Sequence, residues 1–276
     1  MNDVSMNLLN FSLVYLLLLV VLYVMKKNHI QQSKLLLIAS IRMTVQLIIA
    51  GWVLTYIFGH PSPIFTILYV VAMVAFAVHR VLSKNPNLNR KFKLAIAASM
   101  AFSGLTIIAF FVVVVTNQHL FNPQYVIPLG GMIMGNAMTA LNLGIKTFRE
   151  SLLVEQDKIT VLLNFGVTPP KILLPYVNQA VETALLPTLN SMLGMGIIAL
   201  PGMMTGQILS GTLPSTAVLY QIAIMIAICT AVSLALFSAL YFGHRTLYNS
   251  RNRIIRPSVE NSALIGYSVF YFTHIR

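Results

Sequence analysis

The 276 residues are 57% hydrophobic and only 9% charged, with a mean hydropathy of +0.81. Soluble domains carry roughly 25% charged residues, so a water-soluble enzyme or binding module is excluded and the chain reads as an all-helical, polytopic membrane protein. The net charge of +12 would suit nucleic acid if it were gathered on one face. It is instead spread over four separated stretches, which fits membrane topology and anionic lipid headgroups and gives no reason to expect a nucleic-acid partner.

At about 20 apolar residues per crossing, seven helices are predicted in a single domain covering 1–276: 8–25, 35–58, 64–82, 94–116, 126–145, 184–209 and 217–242. The first lacks a basic leader and is followed by Lys26, Lys27 and Lys34, so it reads as an anchor and not as a cleaved signal. The second carries Arg42 and Gln46 one turn apart, about 10 Å past its start. Arg42 either snorkels to the headgroups or faces the bundle as an intramembrane charge. Lys84, Arg90, Lys91 and Lys93 separate the third and fourth helices, Lys146, Arg149, Lys158 and Lys171 follow the fifth, and Arg245, Arg251, Arg253, Arg256 and Arg276 follow the seventh. The alternate connections, 59–63, 117–125 and 210–216, contain no Lys or Arg. The positive-inside rule therefore predicts an outside N-terminus and a cytoplasmic tail, 243–276.

The fifth helix places Gly131, Gly135, Met138 and Asn142 on one face, with Gly131 and Gly135 forming a G-x-x-x-G pair suited to close helix contact. Asn136, Thr139 and Asn142 need a partner or water in hydrocarbon, so they either line a path or bond to another helix. From 147 to 183 the chain is polar and carries both signs of charge. Gly166 and Pro169-Pro170 mark a turn between two short helices there. In the sixth helix Asn190, Thr205 and Gln207 surround Pro201-Gly202, which breaks the helix. The freed backbone groups then require protein or water. The two polar helices are expected to face each other across a neutral seam, giving a substrate path of Asn136, Met138, Thr139, Asn142, Asn190, Met203, Met204, Thr205 and Gln207. Met132, Met134, Met192 and Met195 add thioethers, which serve either as adaptable packing or as weak soft-metal ligands.

Catalysis is not expected. No phosphate-binding G-x-x-x-x-G-K-[ST], HExxH or GxSxG occurs, and the lone Cys229 excludes an intrachain disulfide and a Cys-based metal site. The histidines are scattered, so neither a resident metal nor a cofactor is expected. Asp3, Glu150, Glu155, Asp157 and Glu260 fall outside the predicted spans and Glu182 at the start of one. That leaves no carboxylate at the midplane to bind a coupling ion.

The stretches GMIMGNAMTALNL, FGVTPPKILLPYVNQAVETALLPTLNSM and LPGMMTGQILSG resemble the FetB-like permeases, a formerly uncharacterised family that includes the plant aluminium-sensitivity ABC permeases. The likeness runs to about Arg256 and omits the aromatic tail, 264–276. It implies the permease subunit of an ABC transporter in a bacterial inner or cytoplasmic membrane, acting as a homodimer. ATP and Mg would be bound by a separate cytoplasmic ATPase. The resemblance further implies that the loop around Gly166, with Glu155, Thr160, Pro169 and Pro170, couples to that ATPase. Many relatives carry an acidic residue six positions before the glycine, where this chain has Thr160. Bacterial relatives imply iron export, and plant relatives imply aluminium tolerance and export of a nucleotide sugar. The residues leave these cargoes open, together with a seven-helix receptor or membrane scaffold whose partner site would be the basic tail.

Overall fold

The computed structural model describes residues 8–60 and 62–248. The expected tail beyond 248, with Arg251, Arg253, Arg256 and the aromatic stretch 264–276, lies outside the described residues. Apart from the bridge positions Met195, Ala199 and Tyr248, the regular structure among the described residues is helical. The helices are α1 (Leu8–Lys27), α2 (Ser33–Gly59), α3 (Pro63–Lys84), α4 (Arg90–Phe110), α5 (Pro123–Val154), α6 (Gln156–Asn164), α7 (Pro169–Gly194), α8 (Gly202–Leu209) and α9 (Pro214–His244). A π turn, Phe111–Val115, extends α4, and a 3-10 turn, Arg245–Leu247, follows α9. Pro63, Pro123, Pro169 and Pro214 open α3, α5, α7 and α9, where a missing N–H costs nothing. Side chains cap two helices: Asn89 accepts from the Phe92 amide at 2.6 Å and Asn122 from that of Gln124 at 3.1 Å.

The chain divides into two compact units, one ending at His60 and the other beginning at Pro61. The first holds α1 and α2, tied by a hydrogen bond between the Tyr15 and Thr44 hydroxyls at 2.7 Å. Both helices expose apolar side chains all around, among them Leu17, Val20, Ile38, Leu47 and Trp52. A surface of that kind belongs in lipid.

In the second unit α9 lies against α4, α5, α7 and α8, while α5 lies against α3, α4, α6 and α7. Ala231, Ala235, Ala239 and Gly243, four residues apart, are all buried, a small-residue row that lets helix backbones approach. At Gly243 an added Cβ would lie 2.5 Å from the ring of Phe92, which is fully buried. Ile96 and Met100 of α4, Phe111 of the π turn and Ile133, Met134, Leu141, Ile145 and Phe148 of α5 are buried in the same core. At the basic end Asn89 Nδ2 donates to the Thr246 carbonyl at 2.8 Å, joining the start of α4 to the end of α9.

Among the described residues five helical segments are long and apolar enough to cross a membrane: Ser33–Gly59, Pro63–Lys84, Arg90–Val115, Pro123–Val154 and Pro214–Leu247. The other two expected crossings fall on α1 and on α7 with α8. Two expected boundaries are corrected. The two helices expected around the turn in 147–183 are present but not separate, because α5 continues to Val154 with α6 directly after it, and α7, which begins at Pro169, runs on into the sixth segment. A helix has no physical reason to stop where hydrocarbon does. The sixth segment, expected as one helix over 184–209, is two helices with seven non-helical residues between them.

Gly243→Ala is expected to overpack the Phe92 contact and cost about 1–3 kcal/mol. Gly51→Ala, where nothing lies within 4 Å, is expected to cost nothing. Thermal unfolding of the two variants in detergent checks the contrast.

Candidate functional site

α7 and α9 run in opposite directions, with Asn178 bonded to the Tyr241 hydroxyl (3.3 Å) and Met195 Sδ to Gln221 Nε2 (3.7 Å). At Gly144 of α5 an added Cβ would meet that of Ala184 on α7 at 3.3 Å, so these residues are level. The two helices are joined through the short α6 and are antiparallel, which also makes Lys146 and Glu182 level. From Lys146 back to Pro123, α5 extends about 35 Å, enough to cross a hydrocarbon core of about 30 Å. From Glu182 to Gly194, α7 covers only about 18 Å. It therefore ends about halfway along this length of α5, and 195–201 and α8 follow.

The break has a local cause. Gly196 adopts φ +83°, the left-handed conformation that ends helices, and its N–H donates to the Ala199 carbonyl at 3.0 Å. The amides of Ile198 and Ala199 both donate to the Gly194 carbonyl, at 2.9 and 3.4 Å. The expected break at Pro201-Gly202 is thus corrected: the chain unwinds upstream at Gly196, and Pro201 and Gly202 mark the start of α8. Ile197 and Ile198 are 90% and 85% exposed.

The expected path residues do not meet inside one chain. Asn136 and Thr139 lie exposed on α5 and bond back to their own helix, to the carbonyls of Met132 (2.8 Å) and Gly135 (3.0 Å). Asn190 is exposed on α7. Asn142 is half-buried and accepts from Asn85 Nδ2 at 3.4 Å, while Asn85, itself buried, also donates to the Val81 carbonyl at 2.9 Å. Met138 and Met203 are half-buried against the core, and Met204 is buried. The Thr205 hydroxyl bonds to the carbonyls of Pro201 and Gly202, at 3.1 and 2.9 Å. Gln207 is half-buried, with its Oε1 buried and without a partner. The open side of α5 also carries Gly131, which is exposed, and Gly135, which has nothing within 4 Å. The close approaches fall instead at Gly104, Gly130 and Gly243 and, less tightly, at Gly144. Arg42 is exposed on α2, in the first unit.

The expected coupling residues gather at the tip of α5, α6 and α7. Glu155 is half-buried and pairs with Lys158 at 3.6 Å, an exposed pair of the kind worth about 0–1 kcal/mol. Thr160 is exposed and bonds to the Gln156 carbonyl at 2.9 Å. Gly166 is exposed at φ +80°, Pro169 is buried and Pro170 half-buried.

Two polar side chains escaped the sequence reading. Asn85 sits just outside the predicted third span. Gln221 is a lone amide in an apolar run, and that isolation was its one available signal. Asn142→Leu is expected to cost about 1 kcal/mol, because buried Asn85 loses one of its two acceptors. Asn136→Leu, exposed and bonded only to its own helix, is expected to cost far less. Thermal unfolding in detergent separates them.

Comparison with known proteins agrees with the helical architecture. The chain is 32% identical over 253 residues to "Probable iron export permease protein FetB" of Escherichia coli (strain K12), covering 91% of this chain and 96% of that one. It is 31% identical over 252 residues to "UPF0014 membrane protein YjkA" of Bacillus subtilis (strain 168), covering 88% and 98%. It is also 31% identical over 200 residues to "Protein ALUMINUM SENSITIVE 3" of Arabidopsis thaliana, covering 72% of each chain. No solved structure gives a significant match. A family model, described as "Uncharacterised protein family (UPF0014)", matches residues 8–248. The chain is therefore an integral membrane protein and belongs to the UPF0014 family.

Proposed function

We propose that the chain is the permease subunit of an ABC exporter for iron or another metal, working as two copies with a separate cytoplasmic ATPase that binds ATP and Mg. The observation that carries this is mechanical. α7 is one continuous helix, through Pro175 and Pro187, from the turn at Gly166 to the break at Gly196. α5 extends about 12 Å beyond Lys146, and α7 begins about 20 Å before Glu182, so the tip stands out from the basic end on two helical stems. Displacement of the tip reaches the backbone at the break with no non-helical joint between.

The break also supports a second copy. Gly131, Gly135, Asn136 and Thr139 of α5, Asn190 of α7 and the unwound 195–201 lie open on one chain. Hydrocarbon satisfies no backbone group, and two such faces together would enclose the neutral path that one chain leaves open. The topology that goes with this has seven crossings, counting α7 with α8 as one, with the basic connections and the C-terminus inside. The metal cargo rests on the printed name of the Escherichia coli relative.

Gly166→Asp tests the coupling. Nothing lies within 4 Å of an added Cβ there, and Asp adopts left-handed backbone more readily than most residues. The variant is expected to insert and assemble but to lose transport-coupled ATP hydrolysis when co-purified with the ATPase in lipid vesicles. Normal stimulated hydrolysis would contradict the coupling role.

A further inference from the structure

Among the described residues two buried side-chain oxygens have no hydrogen-bond partner, and both belong to the α8–α9 hairpin: Oε1 of Gln207 and Oε1 of Gln221. Gln221 is only 7% exposed, and its Nε2 lies 3.7 Å from Sδ of Met195, the first residue of the unwound stretch. Buried polar atoms in folded proteins are paired, and each exception calls for an explanation. The nitrogen of the Gln221 amide thus faces the thioether while its oxygen, on the other branch, is unpaired; a half-turn of the amide exchanges the two and sets two uncharged electron-pair donors, oxygen and sulfur, side by side where the helix is interrupted. Among the described residues no group of three or more His, Cys, Asp or Glu side chains could hold a metal ion.

We propose that Gln221 and Met195 form a transient site for a reduced first-row transition-metal cation. The proposal rests on the metal-export reading and adds to it a place and an oxidation state. Thioether sulfur favours softer, lower-charged ions, whereas ferric iron and magnesium want anionic or all-oxygen shells. Uncharged ligands also hold the ion weakly enough to let it leave, as conduction through a multi-site path requires. Met195 is tied to the break by its bridge to Ala199, while Gln221 stands on α9. Movement of α7 against α9 therefore changes the separation of the two ligands and couples release of the ion to motion of the tip.

The test is equilibrium dialysis of the full chain in lipid nanodiscs with ferrous iron under anaerobic, reducing conditions, with magnesium as the hard-ion control. The wild type is expected to bind ferrous iron in preference to magnesium. Gln221→Leu and Met195→Leu are each expected to weaken iron binding at least about tenfold, the loss seen even when groups behind the ligands are removed. The metal-free melting temperature of Gln221→Leu should be unchanged or higher, because a buried orphan acceptor has been replaced by an apolar group. Equal iron binding by the wild type and both variants would overturn the site while leaving the permease reading intact. Failure of the wild type to bind ferrous iron, or magnesium bound as tightly as iron, would overturn it too. The permease reading is judged separately, by ATP hydrolysis of the assembled complex.

Discussion

Hydrocarbon offers no hydrogen bonds, and most of this structure follows from that constraint. Polar side chains in the long helices satisfy themselves on the preceding turn: Thr44 on Ser40, Thr55 on Gly51, Thr116 on Val112, Thr230 on Ile226 and Ser238 on Leu234. Asn136 and Asn142 do the same with Met132 and Met138. A helix can thus carry hydroxyls and amides through lipid without a neighbour. The unwound stretch at 195–201 meets the same need only in part, through the turn in which Gly196 donates to Ala199 and Ile198 and Ala199 donate to Gly194. It lies between α7 and α8, two helices that the sequence reads as one apolar segment.

Composition made the all-helical membrane architecture legible, and the long apolar runs at 35–58, 64–82, 94–116, 126–145 and 217–242 each correspond to a helix. The interruption was legible as well, because glycine and proline in an apolar run are visible, but its position was not. Hydropathy averages over a whole span and cannot separate the end of α7 from the eight residues of α8. Which glycine carries the left-handed conformation is decided by tertiary packing. The helices on either side of the Gly166 turn were legible from its glycine and prolines, but their continuity with the fifth and sixth segments was not, because a polar stretch between helices is compatible with a joint and with an unbroken helix alike.

The candidate site was less legible than the fold. Small and polar residues of α5 were read as one inward face, yet helical periodicity gives a face and not the side on which the core lies. The core sits on Ile133, Met134, Ala137 and Leu141, which leaves Asn136 and Thr139 open. The glycine pair 131 and 135 matched a packing motif, but the closest approaches occur at Gly104, Gly130 and Gly243, where methionine and aromatic side chains fill the groove. The small-residue row on α9 was equally available in the sequence and went unread, since alanines in an apolar run carry no polar signal.

The central claim is that the open face of α5 and α7, with the break, meets protein or water and not lipid. Single cysteines at Asn136 and Asn190, in a Cys229→Ala background, test it by labelling in native membranes with a membrane-impermeant thiol reagent. Ile226, exposed on α9, serves as the lipid-facing reference. Labelling at 136 and 190, with none at 226, is the predicted result. Unreactive cysteines at 136 and 190, with probes there quenched by brominated lipid as strongly as at 226, would contradict the account.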